Sequence, residues 1–202
     1  MRGNKMEDNK YTIPGTIVKI GGLIGAVFSE AGGFLGGKLT PLLGFGSGLL
    51  LSQITHIADN LTKETIQNWV KRNFVDPPSK GRFYDENQVA RILIFNALRR
   101  AVELEDIKLL LQYARDISKG TLSEKELFEL MSSAVVKTKG IAPGDVDGYE
   151  KAVGEELTRS LRHKEGDAGK IKEIVFIMLT AYQSSLIKQK ADELMLKLKT
   201  SL

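Results

Sequence analysis

The sequence predicts an all-α fold, and three observations carry that reading. From Leu49 onward, apolar residues recur every three or four positions, the spacing that places them along one face of a helix. Breakers mark short joints at Asn60, Pro77-Pro78, Gly140 to Gly144, and Gly166 with Gly169. Only one stretch reads as extended chain: Ser79-Lys80-Gly81-Arg82 before Phe83 and Tyr84 has the composition of a tight hairpin, a short β-wing.

Composition narrows the function classes. A chain of 202 residues with 42% hydrophobic and 27% charged residues has the make-up of a soluble globular protein, which excludes wholesale disorder and a membrane bundle. The absence of cysteine excludes disulfides, thiolate nucleophiles, cysteine-based zinc fingers and iron-sulfur clusters, and it fits a reducing compartment, so the cytoplasm is expected. Basic residues number 29 against 25 acidic, a net charge of +4 that argues for nucleic acid only if the excess is concentrated.

Residues 1–48 hold 12 of the 20 glycines and read as a Gly-rich apolar arm, because each interior glycine costs a helix about 0.5 to 1 kcal/mol relative to alanine. Ile17, Val18, Ile20, Leu23, Ile24, Val27 and Phe28 are too dense for a free linker, so the arm is expected to pack on the body or on a partner subunit. Lys19, Glu30 and Lys38 interrupt it well short of the ~20 apolar residues of a membrane span. Glu7 and Asp8, ahead of its apolar core, argue against a secretory signal. Gly32 to Lys38 matches the spacing of a phosphate-binding loop. Leu39, however, stands where that loop needs a Ser or Thr hydroxyl for magnesium, and no strand-helix alternation accompanies it.

Residues 49–118 form the second region. Leu50, Leu51, Ile54, Ile57 and Ala58 mark a first helix, Asn60 offers a left-handed turn, and Thr62 offers an N-cap for a second helix running to about Asn73 with Ile66, Trp69 and Val70 inward. Two short helices joined by such a turn make a helix-turn-helix, and the hairpin at 77–84 makes it winged. A third helix starts at Asp85 or Glu86 and carries Val89, Ile92, Leu93, Phe95, Ala97 and Leu98, and a fourth spans about Glu103 to Ile117.

This order, with R-F-Y after the wing and V-E-L-E-D-I-K-L-L-L beyond, resembles the MerR-type winged helix-turn-helix. More narrowly, T-I-Q-N-W-V-K-R (Thr65 to Arg72), F-V-D-P-P (Phe74 to Pro78) and A-R-I-L-I-F-N-A-L-R (Ala90 to Arg99) resemble the bacterial family catalogued as domain of unknown function eighteen thirty-six. The resemblance implies a MerR-like fold over residues 48–118 and no particular activity. Gln67 and Asn68 stand where MerR recognition helices carry an Arg and a Tyr.

The second helix suits a DNA groove on physical grounds. Lys63, Glu64, Gln67, Asn68, Lys71 and Arg72 face out when Ile66, Trp69 and Val70 face in. Gln and Asn can pair bidentately with adenine, and Lys and Arg neutralise phosphates. The candidate DNA-contacting set is Thr62, Lys63, Thr65, Gln67, Asn68, Lys71 and Arg72 on the helix, with Lys80, Arg82 and Tyr84 on the wing. Residues 62–100 hold eight basic residues (Lys63, Lys71, Arg72, Lys80, Arg82, Arg91, Arg99 and Arg100) against four acidic ones, an excess equal to the net charge of the whole protein.

Residues 119–202 read as a C-terminal helical region for dimerisation or ligand binding. Ser123 and Glu126 form a capping box ahead of Leu127, Leu130, Met131 and Val135. Tyr149, Val153, Leu157 and Leu161 line a helix over about Asp145 to Lys164, with Arg162, His163 and Lys164 at its carboxyl end, where the dipole favours positive charge. A last helix runs to about Lys199, with Ile171, Val175, Met178, Tyr182 and Leu186, then Ile187, Ala191, Leu194 and Leu198 in its stripe. Resemblance to MerR-type proteins implies a dimer helix or a ligand-holding bundle here, and packing within the chain is an equal alternative.

The functional expectation is a bacterial DNA-binding transcriptional regulator, a homodimer through its C-terminal helices, acting on double-stranded DNA and not on membranes. The alternative is a non-catalytic protein-interaction module. His56 and His163 are isolated, and no Ser/His/Asp set, metal cluster or intact phosphate loop is visible, so no enzyme, metal or cofactor is expected, and no effector is named.

Overall fold

The computed structural model describes residues 48–201 apart from 59, 80, 139, 142–144 and 163. The N-terminal arm, the loop-like motif at Gly32 to Lys38, Lys80 and His163 lie outside the described residues. Among the described residues the chain is mostly helical. A short strand β1 (Leu49–Leu50) leads into α1 (Leu51–Ile57) and α2 (Lys63–Lys71), then β2 (Phe83–Tyr84) and α3 (Glu86–Leu98). Helices α4 (Leu104–Ile117), α5 (Glu124–Lys137), α6 (Val146–Ser160) and α7 (Ala168–Ser201) follow. No described helix is long and apolar enough to cross a membrane.

Helix boundaries follow local chemistry. Asn60, at φ +56°, ends the α1 segment in the left-handed turn, and the Thr62 hydroxyl accepts from the Thr65 amide at 3.2 Å to start α2. Asp85 and Gln88 close a capping box on α3, and Ser123 and Glu126 close one on α5. Asp145 caps α6 by accepting from the Gly148 amide, but that helix stops at Ser160, four residues before Lys164. Lys164 instead turns back to pair with Glu126 and to donate to the Thr121 carbonyl at 3.1 Å. Its charge is used by a tertiary contact and not by the helix dipole.

Helix α3 sits at the centre. Val89, Ala90, Ile92, Leu93, Ile94, Phe95, Ala97 and Leu98 are all buried, so it is apolar around most of its girth, with α4, α5 and α7 packed against it. The same core continues through Leu127, Phe128 and Met131 of α5, Val153 and Leu157 of α6, and Ile171, Val175 and Met178 of α7. One apolar cluster therefore runs across α1 to α3 and the C-terminal helices.

The wing differs from expectation. Phe83–Tyr84 does not fold back in a local hairpin; it pairs antiparallel with Leu49–Leu50, Leu49 opposite Tyr84 and Leu50 opposite Phe83. Gly48 makes this approach possible, since it stands at φ +75° and a Cβ there would lie 2.3 Å from the Tyr84 carbonyl oxygen. Gly166 plays the same part between α6 and α7, where at φ +94° a Cβ would lie 1.9 Å from the Ile117 carbonyl oxygen at the end of α4.

Two substitutions test this architecture. Gly166→Ala should lower stability by about 1 to 3 kcal/mol through strain and displacement of the α4 end. Phe95→Ala should lower it by about 3 to 5 kcal/mol and red-shift the emission of the single tryptophan that its ring covers. Urea unfolding followed by circular dichroism and by fluorescence measures both.

Candidate nucleic-acid interface

The interface is built on α2, a helix of nine residues with Ile66 and Trp69 buried on one side. Trp69 packs against Phe95 at 5.7 Å between ring centroids, and Phe74, just after the helix, meets the same ring at 5.8 Å. These contacts set the helix rotation about its own axis. Lys63, Gln67, Asn68, Lys71 and Arg72 are consequently exposed, as the spacing predicts. The side chains of Lys63, Gln67, Asn68 and Lys71 make no hydrogen bond or ion pair among the described residues. Glu64 shares the exposed face; hydrogen bonds from its own backbone amide and from Thr62, with Lys63 alongside, hold its carboxyl below the usual range.

The other predicted residues divide. Thr62 and Thr65 are committed to the helix start, their hydroxyls 3.1 Å apart, with Thr65 half-buried. Arg72 is exposed yet held: it pairs with Glu105 at 2.8 Å and its guanidinium lies 4.7 Å from the Phe74 ring centre. Arg82 is exposed, over the Phe83 ring at 5.8 Å. Tyr84 is only 4% exposed and packs into the core from β2. Strand alternation explains this: with Phe83 half-buried outward, the next side chain in the β1–β2 pair points into the core, where burial raises the phenol's pKa.

Three of the eight basic residues also lie away from the exposed face of α2. Arg91 donates from Nε to the Phe74 carbonyl at 2.5 Å and pairs with Glu124, whose carboxyl burial pushes upward despite that partner. Arg99 donates to the Asn60 carbonyl at 2.6 Å and lies 5.7 Å from the Trp69 ring centre. Arg100 reaches Asp192 of α7 at 3.5 Å. The sequence count could not separate these arginines from groove-facing ones, because helical spacing does not record which turn of another segment stands opposite. What sequence reasoning missed is their role as clamps on the turns either side of α2 and on α7.

Gln88 completes the clamp. This residue is 9% exposed, and its amide donates to the Pro77 carbonyl at 2.6 Å and accepts from the Ser79 and Asp85 amides at 3.3 and 3.0 Å. One side chain thereby satisfies much of the backbone of the irregular 76–79 segment, which proline keeps out of helix or sheet.

The unit so assembled coincides with a family match. Residues 48–131 match the family model described as Domain of unknown function (DUF1836). The DUF1836 match begins at the glycine beside β1 and extends through the first half of α5, so it includes both ends of the Arg91–Glu124 pair. That description assigns no activity. No curated protein and no solved structure matches the chain. Among the described residues no group of three His, Asp or Glu side chains could hold a metal ion.

Arg91→Ala should destabilise the protein by about 2 to 4 kcal/mol, since it leaves Glu124 unpaired at 27% side-chain exposure and the Phe74 carbonyl without its donor. The double variant Arg91→Met with Glu124→Leu should recover much of that loss, as measured by thermal melting.

Proposed function

We propose that this chain is a DNA-binding regulator of the MerR-like winged helix-turn-helix type, acting in the cytoplasm, with residues 62–73 in the major groove and the 77–84 segment on the flanking backbone. One observation carries the reading: Lys63, Gln67, Asn68 and Lys71 project together from α2 with no side-chain hydrogen bond or ion pair among the described residues, Lys63 lying beside the Glu64 carboxylate. A helix backed by Trp69 and Phe95 and fronted by two amides and two ammonium groups has the chemistry of groove readout, in which amides meet base edges and cations meet phosphates. The order of the elements and the R-F-Y strand support the MerR-like assignment, with β2 pairing to β1 in place of a local hairpin.

The electrostatic footprint is small, because Arg91, Arg99 and Arg100 serve the fold and Arg72 is shared with Glu105. Few phosphate contacts per unit mean modest affinity and a need for two copies on one site. A protein-interaction module is the second reading, favoured by Leu194, Met195, Leu196 and Leu198, all exposed on α7.

Fluorescence anisotropy with duplex DNA at two salt concentrations tests the proposal. Lys71→Ala and Arg82→Ala should each weaken binding across all sequences and reduce the salt slope by about 1. Glu105→Ala should strengthen binding by releasing Arg72, whereas Tyr84→Phe should leave affinity unchanged. Gln67→Ala or Asn68→Ala should cost about 1 to 3 kcal/mol on a preferred sequence only. Absence of salt-sensitive binding to duplex DNA refutes the reading.

A further inference from the structure

A cavity of about 730 Å³ opens where the irregular 76–79 segment, the start of α3, the second half of α4 and the start of α5 come together. That is the size range of small-ligand sites. Buried Leu111, Ala114, Leu122 and Leu127 supply its apolar floor, with the Arg91–Glu124 pair beside them. All of its lining residues fall within the family-matched stretch 48–131, and none belongs to α6 or α7.

Five charged side chains line the cavity among the described residues: Asp76, Asp85, Arg91, Arg115 and Glu124. Three are already used. Glu124 pairs with Arg91, and Asp85 accepts from the Ser79 hydroxyl at 3.0 Å and from the Gln88 backbone amide at 2.9 Å. The N-termini of α3 and α5, which border the cavity, are closed by their own capping boxes. Asp76 and Arg115 are left over: both are exposed, and their side chains make no hydrogen bond or ion pair among the described residues, with each other included. Both nevertheless act on one carboxyl. Burial raises the pKa of Glu124, and among its neighbours Arg91 and Arg115 pull it down while Asp76 pushes it up.

The cavity thus holds one unanswered charge of each sign, carried by two different elements, above an apolar floor. A simple anion would answer Arg115 and meet three carboxylates. A simple cation would answer Asp76 and meet two guanidinium groups. Only a molecule carrying both charges answers both residues, and Arg115 can take a carboxylate through two parallel hydrogen bonds.

We propose that this cavity binds a small zwitterion, an amino acid with an apolar side chain, its carboxylate on Arg115, its ammonium group on Asp76 and its side chain on the floor of Leu111, Ala114, Leu122 and Leu127. Such a ligand fastens the 76–79 segment to α4. Because both charged residues are exposed, each end contributes modestly and the binding weakens with added salt. The 76–79 segment leads to the strand proposed to flank DNA, yet the cavity stands without that reading and its test contains no DNA. A chain that binds the amino acid and ignores DNA leaves this proposal standing and overturns only the other.

Calorimetric titration of the full chain with leucine, isoleucine, methionine and phenylalanine tests the site. At least one should bind with a dissociation constant below about 10 mM, and glycine, which has no side chain for the floor, should bind more weakly than that one. The analogues of the tightest binder that lack the ammonium or the carboxylate, which for leucine are isocaproate and isoamylamine, should each bind at least about 10-fold more weakly. Arg115→Gln should bring the amino acid down to the affinity of its carboxylate-free analogue, and Asp76→Asn to that of its ammonium-free analogue. Neither substitution should lower the melting temperature of the unliganded chain, since neither side chain holds a partner. Asp116→Asn, beside Arg115 but outside the cavity lining, should leave binding unchanged. Failure of all four amino acids to bind, analogues that bind as tightly as the amino acid, or affinity indifferent to both Arg115→Gln and Asp76→Asn would each overturn the proposal. An equal loss in Asp116→Asn would do the same, because it would reduce the effect to net charge.

Discussion

The ring of Phe95, buried in the middle of α3, is the contact on which the rest of the molecule is arranged. It receives Trp69 from α2 and Phe74 from the turn after α2, so two neighbouring elements are referred to one side chain. A nine-residue helix has little stability of its own in water, and α2 keeps its shape and rotation chiefly through this apolar anchorage. Everything exposed on the opposite side of α2 is exposed because Trp69 is not.

Arginines guard the edges of that aromatic cluster. Arg91 stacks 5.5 Å from the Phe95 ring centre and binds the Phe74 carbonyl, while Arg99 lies over Trp69 and binds the Asn60 carbonyl. Each guanidinium satisfies a loop carbonyl and covers an aromatic face at once, a combination suited to its planar, multi-donor geometry. The turn before α2 and the turn after it are thus both fastened to α3. Through Glu124 the same system reaches α5, so α2, α3 and the C-terminal helices share mechanical contacts as well as a continuous core.

Helix α7 ties the C-terminal helices to the rest of the core. Its first half is bedded among four other helices, and Arg100, at the end of α3, reaches Asp192 further along it.

Residue spacing and capping chemistry were enough to locate the helices. The turn at Asn60, the N-caps at Thr62 and Ser123, and the inward set Ile66, Trp69 and Val70 all depend on neighbours within four positions, and such signals survive in a linear sequence. By itself the sequence also determined that Gln67, Asn68 and Lys71 share a face. The tertiary structure alone decided that Tyr84 turns inward, that β2 finds its partner before α1, that α6 ends at Ser160, and that Arg91, Arg99 and Arg100 brace the fold. Apart from the end of α6, each of those outcomes depends on a group brought close from 17 or more residues away in the chain. Helical periodicity reports which side of an element is apolar; it carries no record of what the polar side will meet.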